Sequence, residues 1–102
     1  MKDCLWTWSP EKDSVNRSKH GFGFDLAAKV FDDPLHVSDI DPHSDGDRWR
    51  TLGAIKGVVV LVVHTDPHLD GDRLIAPGRI ISARKATANE RRLFSEAIYG
   101  GR

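Results

Sequence analysis

A chain of 102 residues, 39% apolar and 29% charged, can build one modest core and is too short for two. Fifteen Lys and Arg offset fifteen Asp and Glu, so the formal net charge is zero and no overall basicity announces a nucleic-acid partner. The lone cysteine, Cys4, excludes an internal disulfide, and the longest apolar run, Val58 to Val63, is too short to cross a bilayer.

Cys4-Leu5-Trp6-Thr7-Trp8 is aromatic and β-prone and predicts a first strand. Ser9-Pro10-Glu11 then opens a helix: a capping hydroxyl, a proline suited to the first helical position, and an acid at the positive end. That helix is expected to run to His20 and stop at Gly21. Its interior is almost wholly polar, with Val15 the only aliphatic residue, so it has little core to offer. Phe24, Ala27, Ala28 and Phe31 fall at i, i+3, i+4 and i+7 and predict a second, amphipathic helix ending before Pro34. His36 to Asp47, rich in Asp, Ser, Pro and Gly, reads as a loop. Arg48 to Ile55 and Val58 to Thr65, joined by Lys56-Gly57, predict an antiparallel hairpin.

Asp66 to Pro77 reads as a second loop and Arg79 to Arg84 as a fourth strand. Thr87-Ala88-Asn89-Glu90 is a capping box, followed by an apolar helix face of Leu93, Phe94, Ala97 and Ile98. The order β-α-α-β-β-β-α predicts a single α+β domain over residues 1–102. Its two layers are an antiparallel sheet and helices packed on one face. Met1 to Trp6 contain no secretory apolar stretch, so a cytoplasmic domain is expected.

Charge is unevenly spread. Residues 32–47 carry six Asp and no Lys or Arg, whereas residues 48–65 sum to +3 and residues 79–102 to +4. Such a local basic concentration can bind phosphate on a neutral molecule. The chain has no phosphate loop, GxGxxG, GxSxG or HExxH. His36, Asp39, Asp41, His43 and Asp45, and again His64, Asp66, His68 and Asp70, alternate in a way that could ligate a divalent ion, but their spacing fits no regular motif and no metal or cofactor is expected. The basic residues fit metal-free RNA cleavage better. That reaction needs a base for the 2′-hydroxyl, cations for the extra phosphorane charge, and an acid for the leaving 5′-oxygen. Candidates are Lys19 and His20 beside the helix-ending glycine, Arg79 and Arg84 on the fourth strand, and Lys85 beyond it.

Pro10-Glu11-Lys12 with Asn16, Lys19-His20-Gly21, Phe31-Asp32-Asp33-Pro34, His43-Ser44-Asp45-Gly46-Asp47-Arg48-Trp49 and Arg79-Ile80-Ile81-Ser82-Ala83-Arg84-Lys85-Ala86-Thr87 occur in this order. Together they span roughly residues 5–94, and the ordered set resembles the BrnT family. The resemblance implies a RelE-like fold and a ribonuclease toxin of a type II toxin–antitoxin pair. It implies a BrnA-like antitoxin with a ribbon-helix-helix domain, and promoter DNA reached only through that antitoxin. His20, Lys19, Arg79 and Arg84 are then expected to line one catalytic groove, with Arg48, Arg50 and Lys85 binding RNA. Two features depart from the family pattern: His64 stands where an aromatic such as Tyr is more usual, and the segment Asp66 to Gly78 is longer and richer in proline. A five-residue separation puts Arg79 and Arg84 on opposite faces of an ideal strand, unless a bulge re-aims one of them. The competing reading is a non-catalytic co-repressor that binds the antitoxin through exposed aromatics. Trp6, Trp8, Phe22 and Phe94 exceed what so small a core is expected to bury.

Overall fold

The computed structural model describes residues 5–42 and 46–99, so Cys4, His43 and Asp45 lie outside the described residues. Eleven elements follow one another: β1 (Trp6–Trp8), α1 (Pro10–His20), α2 (Phe24–Ala27), a 3₁₀ turn (Ala28–Asp32), β2 (Val37–Ile40), β3 (Trp49–Ile55), β4 (Val58–His64), β5 (His68–Asp70), β6 (Arg73–Ala76), β7 (Gly78–Lys85) and α3 (Ala88–Tyr99). The local helix signals operate as the sequence predicts. Ser9 caps α1 by accepting from the Lys12 N–H, and Gly21 closes it at φ 85°. Thr87 and Glu90 exchange side-chain bonds with each other's N–H at 2.9 and 3.1 Å.

The main sheet has five strands in the order β1-β7-β4-β3-β2. The three central strands are antiparallel neighbours as expected, but β1 runs parallel to β7, so the sheet is mixed rather than antiparallel. Lys56 and Gly57 both take positive φ, 50° and 85°, in the turn that matches the twist of β3 and β4. A side chain there costs about 1–2 kcal/mol relative to glycine.

Both segments read as loops contain strands. β2 pairs with β3 through polar cross-strand partners: the Ser38 and Thr51 hydroxyls lie 2.7 Å apart and Arg50 donates to Asp39 at 3.0 Å. Such pairs support an edge strand without an apolar stripe, which is why composition hid it. β5 and β6 form a separate hairpin around Gly71, at φ 62°.

The second predicted helix is half α and half 3₁₀. Its fully buried residues are Phe24, Ala27 and Val30, a spacing of three throughout, as the tighter winding dictates. They meet Val60, Val62, Ile80 and Ala83 in the core. Gly53 admits this close approach, because a Cβ there would lie 2.9 Å from the Val30 carbonyl. Asp33 then anchors the exit, its carboxylate accepting from the Ala54 and Leu35 N–H groups at 2.8 and 3.0 Å. Those bonds hold its pKa below the usual carboxylate value.

The helices do not share one face. Leu52 and Leu61 pair across β3 and β4 and point away from the Val60–Val62 side, where they border Leu93 and Glu90 of α3. The two-layer expectation is therefore corrected: α2 and the 3₁₀ turn cover one face, and α3 lies on the other. The aromatics are also better buried than expected. Phe94 is buried, Trp6, Trp8 and Phe22 pack against the core, and Trp6 stacks on Phe31 with ring centres 3.9 Å apart.

α1 lies along the open edge of β7. β1 pairs only with Gly78 to Ile80, so the Ala83 N–H has no strand beside it on that edge. Asn16, the one buried residue of α1, accepts from it at 3.1 Å and donates to the Phe22 carbonyl at 3.0 Å. Asn16→Ala strands both backbone groups. It is expected to lower the unfolding free energy by about 2 kcal/mol in a urea titration, and a change below about 0.5 kcal/mol contradicts this role.

Candidate functional site at the end of helix α1

With α1 fixed by Asn16, its last turn projects Lys19 and His20 past the β7 edge. Asp13 and Arg17 secure the following turn: Asp13 accepts from the Phe24 N–H at 2.7 Å, and Arg17 donates to Asp25 at 3.2 Å. His20 borders two hollows. One, of about 370 Å³, runs along α1 past Lys19, Lys12, Glu11 and Ser82. The other, of about 530 Å³, has a floor of Phe22, Leu26 and Val58 and a rim of Lys29, Lys56 and Lys85, with no carboxylate in its wall. Among the described residues, none of these three lysines forms an ion pair or a side-chain hydrogen bond.

The expected catalytic set is brought together only in part. Lys19 and His20 share the smaller hollow, and His20 and Lys85 share the larger one. Arg79 and Arg84 lie elsewhere. The register between β4 and β7 shifts past Val63, leaving Ile81 as an extra residue. That bulge puts Arg79 and Arg84 on one face despite their five-residue separation. Arg79 opposes the exposed Thr7, and Arg84 opposes Leu61, so this face is the α3 side and not that of the larger hollow.

Arg84 is occupied there, donating two bonds to Glu90 at 2.8 and 2.9 Å. Those bonds hold the Glu90 carboxyl at about 2 and raise the Arg84 pKa further. Arg50 is held by Asp39 on the same face. Arg48 precedes β3 and Lys56 follows it, which separates them by about 25 Å along the strand.

His64 is buried, with ring edges toward Trp6 and Phe31 at 5.1 and 4.8 Å. Its Nδ1 donates to the Thr65 carbonyl at 3.1 Å, which leaves Nε2 to accept from the Thr51 hydroxyl at 2.6 Å. Burial lowers its pKa against the opposing pull of the Thr65 carbonyl and Asp66. This histidine belongs to the core, not to an open site. Among the described residues, no three His, Cys, Asp or Glu side chains converge as metal ligands, and no helix is long and apolar enough to cross a membrane.

Residues 8–90 match the family model described as "Ribonuclease toxin, BrnT, of type II toxin-antitoxin system". The chain belongs to the BrnT family of ribonuclease toxins. Comparison with individually curated proteins gives no match. Membership implies a protein antitoxin and an RNA substrate for this BrnT chain. Lys29 and Lys56, which line the larger hollow with His20, were not singled out in the sequence. The overlooked signal was Lys56 itself, a lysine in a two-residue hairpin turn where Asn, Asp or Gly is favoured.

Two acid-sensitive groups are separable by pH. A histidine whose folded pKa is lowered stays neutral in both states above about 6.5, while below that value only the unfolded chain gains the proton. Stability therefore falls as pH drops below about 6.5. The Arg84–Glu90 pair adds a second loss as pH falls from about 4.5 to about 2. In urea titrations across pH, His64→Gln is expected to remove the first slope and Glu90→Gln to reduce the second, to which the lowered Asp33 and Glu11 carboxyls also contribute. Slopes unchanged by these substitutions contradict the assignment.

Proposed function

We propose that this BrnT protein is a metal-independent endoribonuclease whose reaction centre is the C-terminal end of α1. His20 accepts the proton of the 2′-hydroxyl as its oxygen attacks the adjacent phosphorus. The phosphorus–O5′ bond breaks, a neighbouring ammonium group or water returns a proton to O5′, and the products are a 2′,3′-cyclic phosphate and a 5′-hydroxyl. Lys19 and Lys85 offset the charge that accumulates on the phosphorane. The observation that carries this reading is the position of His20 at the meeting of two hollows, flanked by Lys19 and Lys85.

Arg84 serves instead to clamp α3 to the sheet. Arg79, Arg48 and Arg50 contribute at most to the long-range attraction of RNA. A BrnA-type ribbon-helix-helix antitoxin silences the toxin and supplies its contact with promoter DNA. The chain acts as one toxin domain.

Purified protein incubated with defined RNA in EDTA is expected to give fragments ending in 2′,3′-cyclic phosphate. His20→Ala, an exposed position that the fold does not depend on, is expected to cut about 100- to 10,000-fold more slowly. Loss of cleavage in EDTA, or a His20→Ala rate equal to the parent's, contradicts the proposal.

A further inference from the structure

We infer that the larger hollow beside His20 is a nucleobase subsite, which makes single-stranded RNA the substrate class. This inference rests on the reaction centre proposed above. The hollow combines two chemistries that duplex RNA cannot use together. Its floor is apolar and open to solvent: Leu26 and Val58 are 40% and 45% exposed, and Phe22, which packs against the core, is half-buried. An unpaired base splayed from its strand fills such a floor, whereas a base held in a helix does not reach it. Its rim carries only cations, and Lys29, Lys56 and Lys85 are placed to hold the phosphates on either side of that base.

The backbone gives an independent reason to assign a ligand to this rim. Lys56 sits at φ 50°, in a turn that Asn or Gly would occupy with less strain, and its side chain makes no hydrogen bond or ion pair among the described residues. A strained residue whose side chain does nothing for the fold points to work done outside it. Three arginines on neighbouring elements contrast with this. Arg17, Arg50 and Arg84 each pair with a carboxylate and stabilise the fold, while the three lysines of the rim face solvent. A hollow of about 530 Å³ is in the range that accepts a small ligand group. Binding there places the adjoining phosphate toward His20, which forms part of the same wall.

The test uses a short 2′-O-methyl RNA, which blocks attack by the 2′-oxygen and so measures binding alone, carrying one 2-aminopurine. The expected results are tighter binding of this single strand than of the same sequence as a duplex, and a change in 2-aminopurine fluorescence on binding. Lys56→Asn should leave the fold at least as stable in a thermal melt. It should weaken binding several-fold and lower the slope of log K against log salt by about 0.7. Leu26→Asn should weaken binding of the base-bearing strand and leave an abasic strand unaffected.

Equal affinity for duplex and single strand overturns the inference, as does unchanged binding by both variants. Retention of RNA affinity by Lys56→Asn with loss of binding to an acidic antitoxin peptide also overturns it and marks the hollow as a protein-docking site. The two claims fail separately. Binding as described without cleavage of natural RNA defeats the reaction centre alone, and cleavage with variant-insensitive binding defeats the subsite alone.

Discussion

The two hydrogen bonds of Asn16 are the constraint on which the position of the candidate site depends. α1 has no apolar face with which to dock: Val15 is more than half exposed, and Asn16 is the one side chain the helix buries. In place of a hydrophobic stripe, the helix is held by polar bonds with defined directions. Asn16 reaches β7 and the Phe22 carbonyl at once, while Asp13 and Arg17 brace the turn around Gly21 and Phe24. Directional bonds fix orientation as well as proximity, and so set where the last turn of α1 carries Lys19 and His20.

The neutral overall charge becomes intelligible once the ion-paired arginines are set apart from the other cations. Arg17, Arg50 and Arg84 are matched by Asp13 and Asp25, Asp39 and Glu90 respectively, all within 3.4 Å. Among the cations these pairs leave over, Lys19, Lys29, Lys56 and Lys85 gather around the C-terminal end of α1, the β3–β4 turn and the end of β7. A chain can therefore be neutral in sum and still present a local cationic surface to phosphate. Local arrangement, and not net charge, decides where a nucleic acid can settle on it.

The features legible in the sequence were those decided by a few adjacent residues. The Ser9 and Thr87 caps, the Gly21 stop and the two-residue Lys56-Gly57 link all depend on local backbone chemistry, and all stand where sequence put them. Features decided by distant partners were not legible. β2 is a strand because Arg50 and Thr51 lie opposite its Asp39 and Ser38, residues that in isolation signal a loop. The face chosen by α3 depends on Arg84 meeting Glu90, and the shared face of Arg79 and Arg84 depends on the extra residue at Ile81. Of the candidate site, Lys19, His20 and Lys85 could be found from sequence because α1's end and β7's end are each locally defined. Lys29 and Lys56 could not, because only the fold brings the 3₁₀ turn and the hairpin tip to the same hollow.

The central claim is that RNA engages the edge of the sheet where α1 ends, and not the face that carries Arg79 and Arg84. Amide chemical-shift mapping of isotope-labelled protein with a non-cleavable single-stranded RNA tests it most directly. The account predicts shifts concentrated at His20, Gly21, Leu26, Lys56, Gly57 and Lys85. Shifts centred on Arg79, Arg84 and the Arg50–Asp39 pair, with the α1 end and the hairpin tip unmoved, would contradict it.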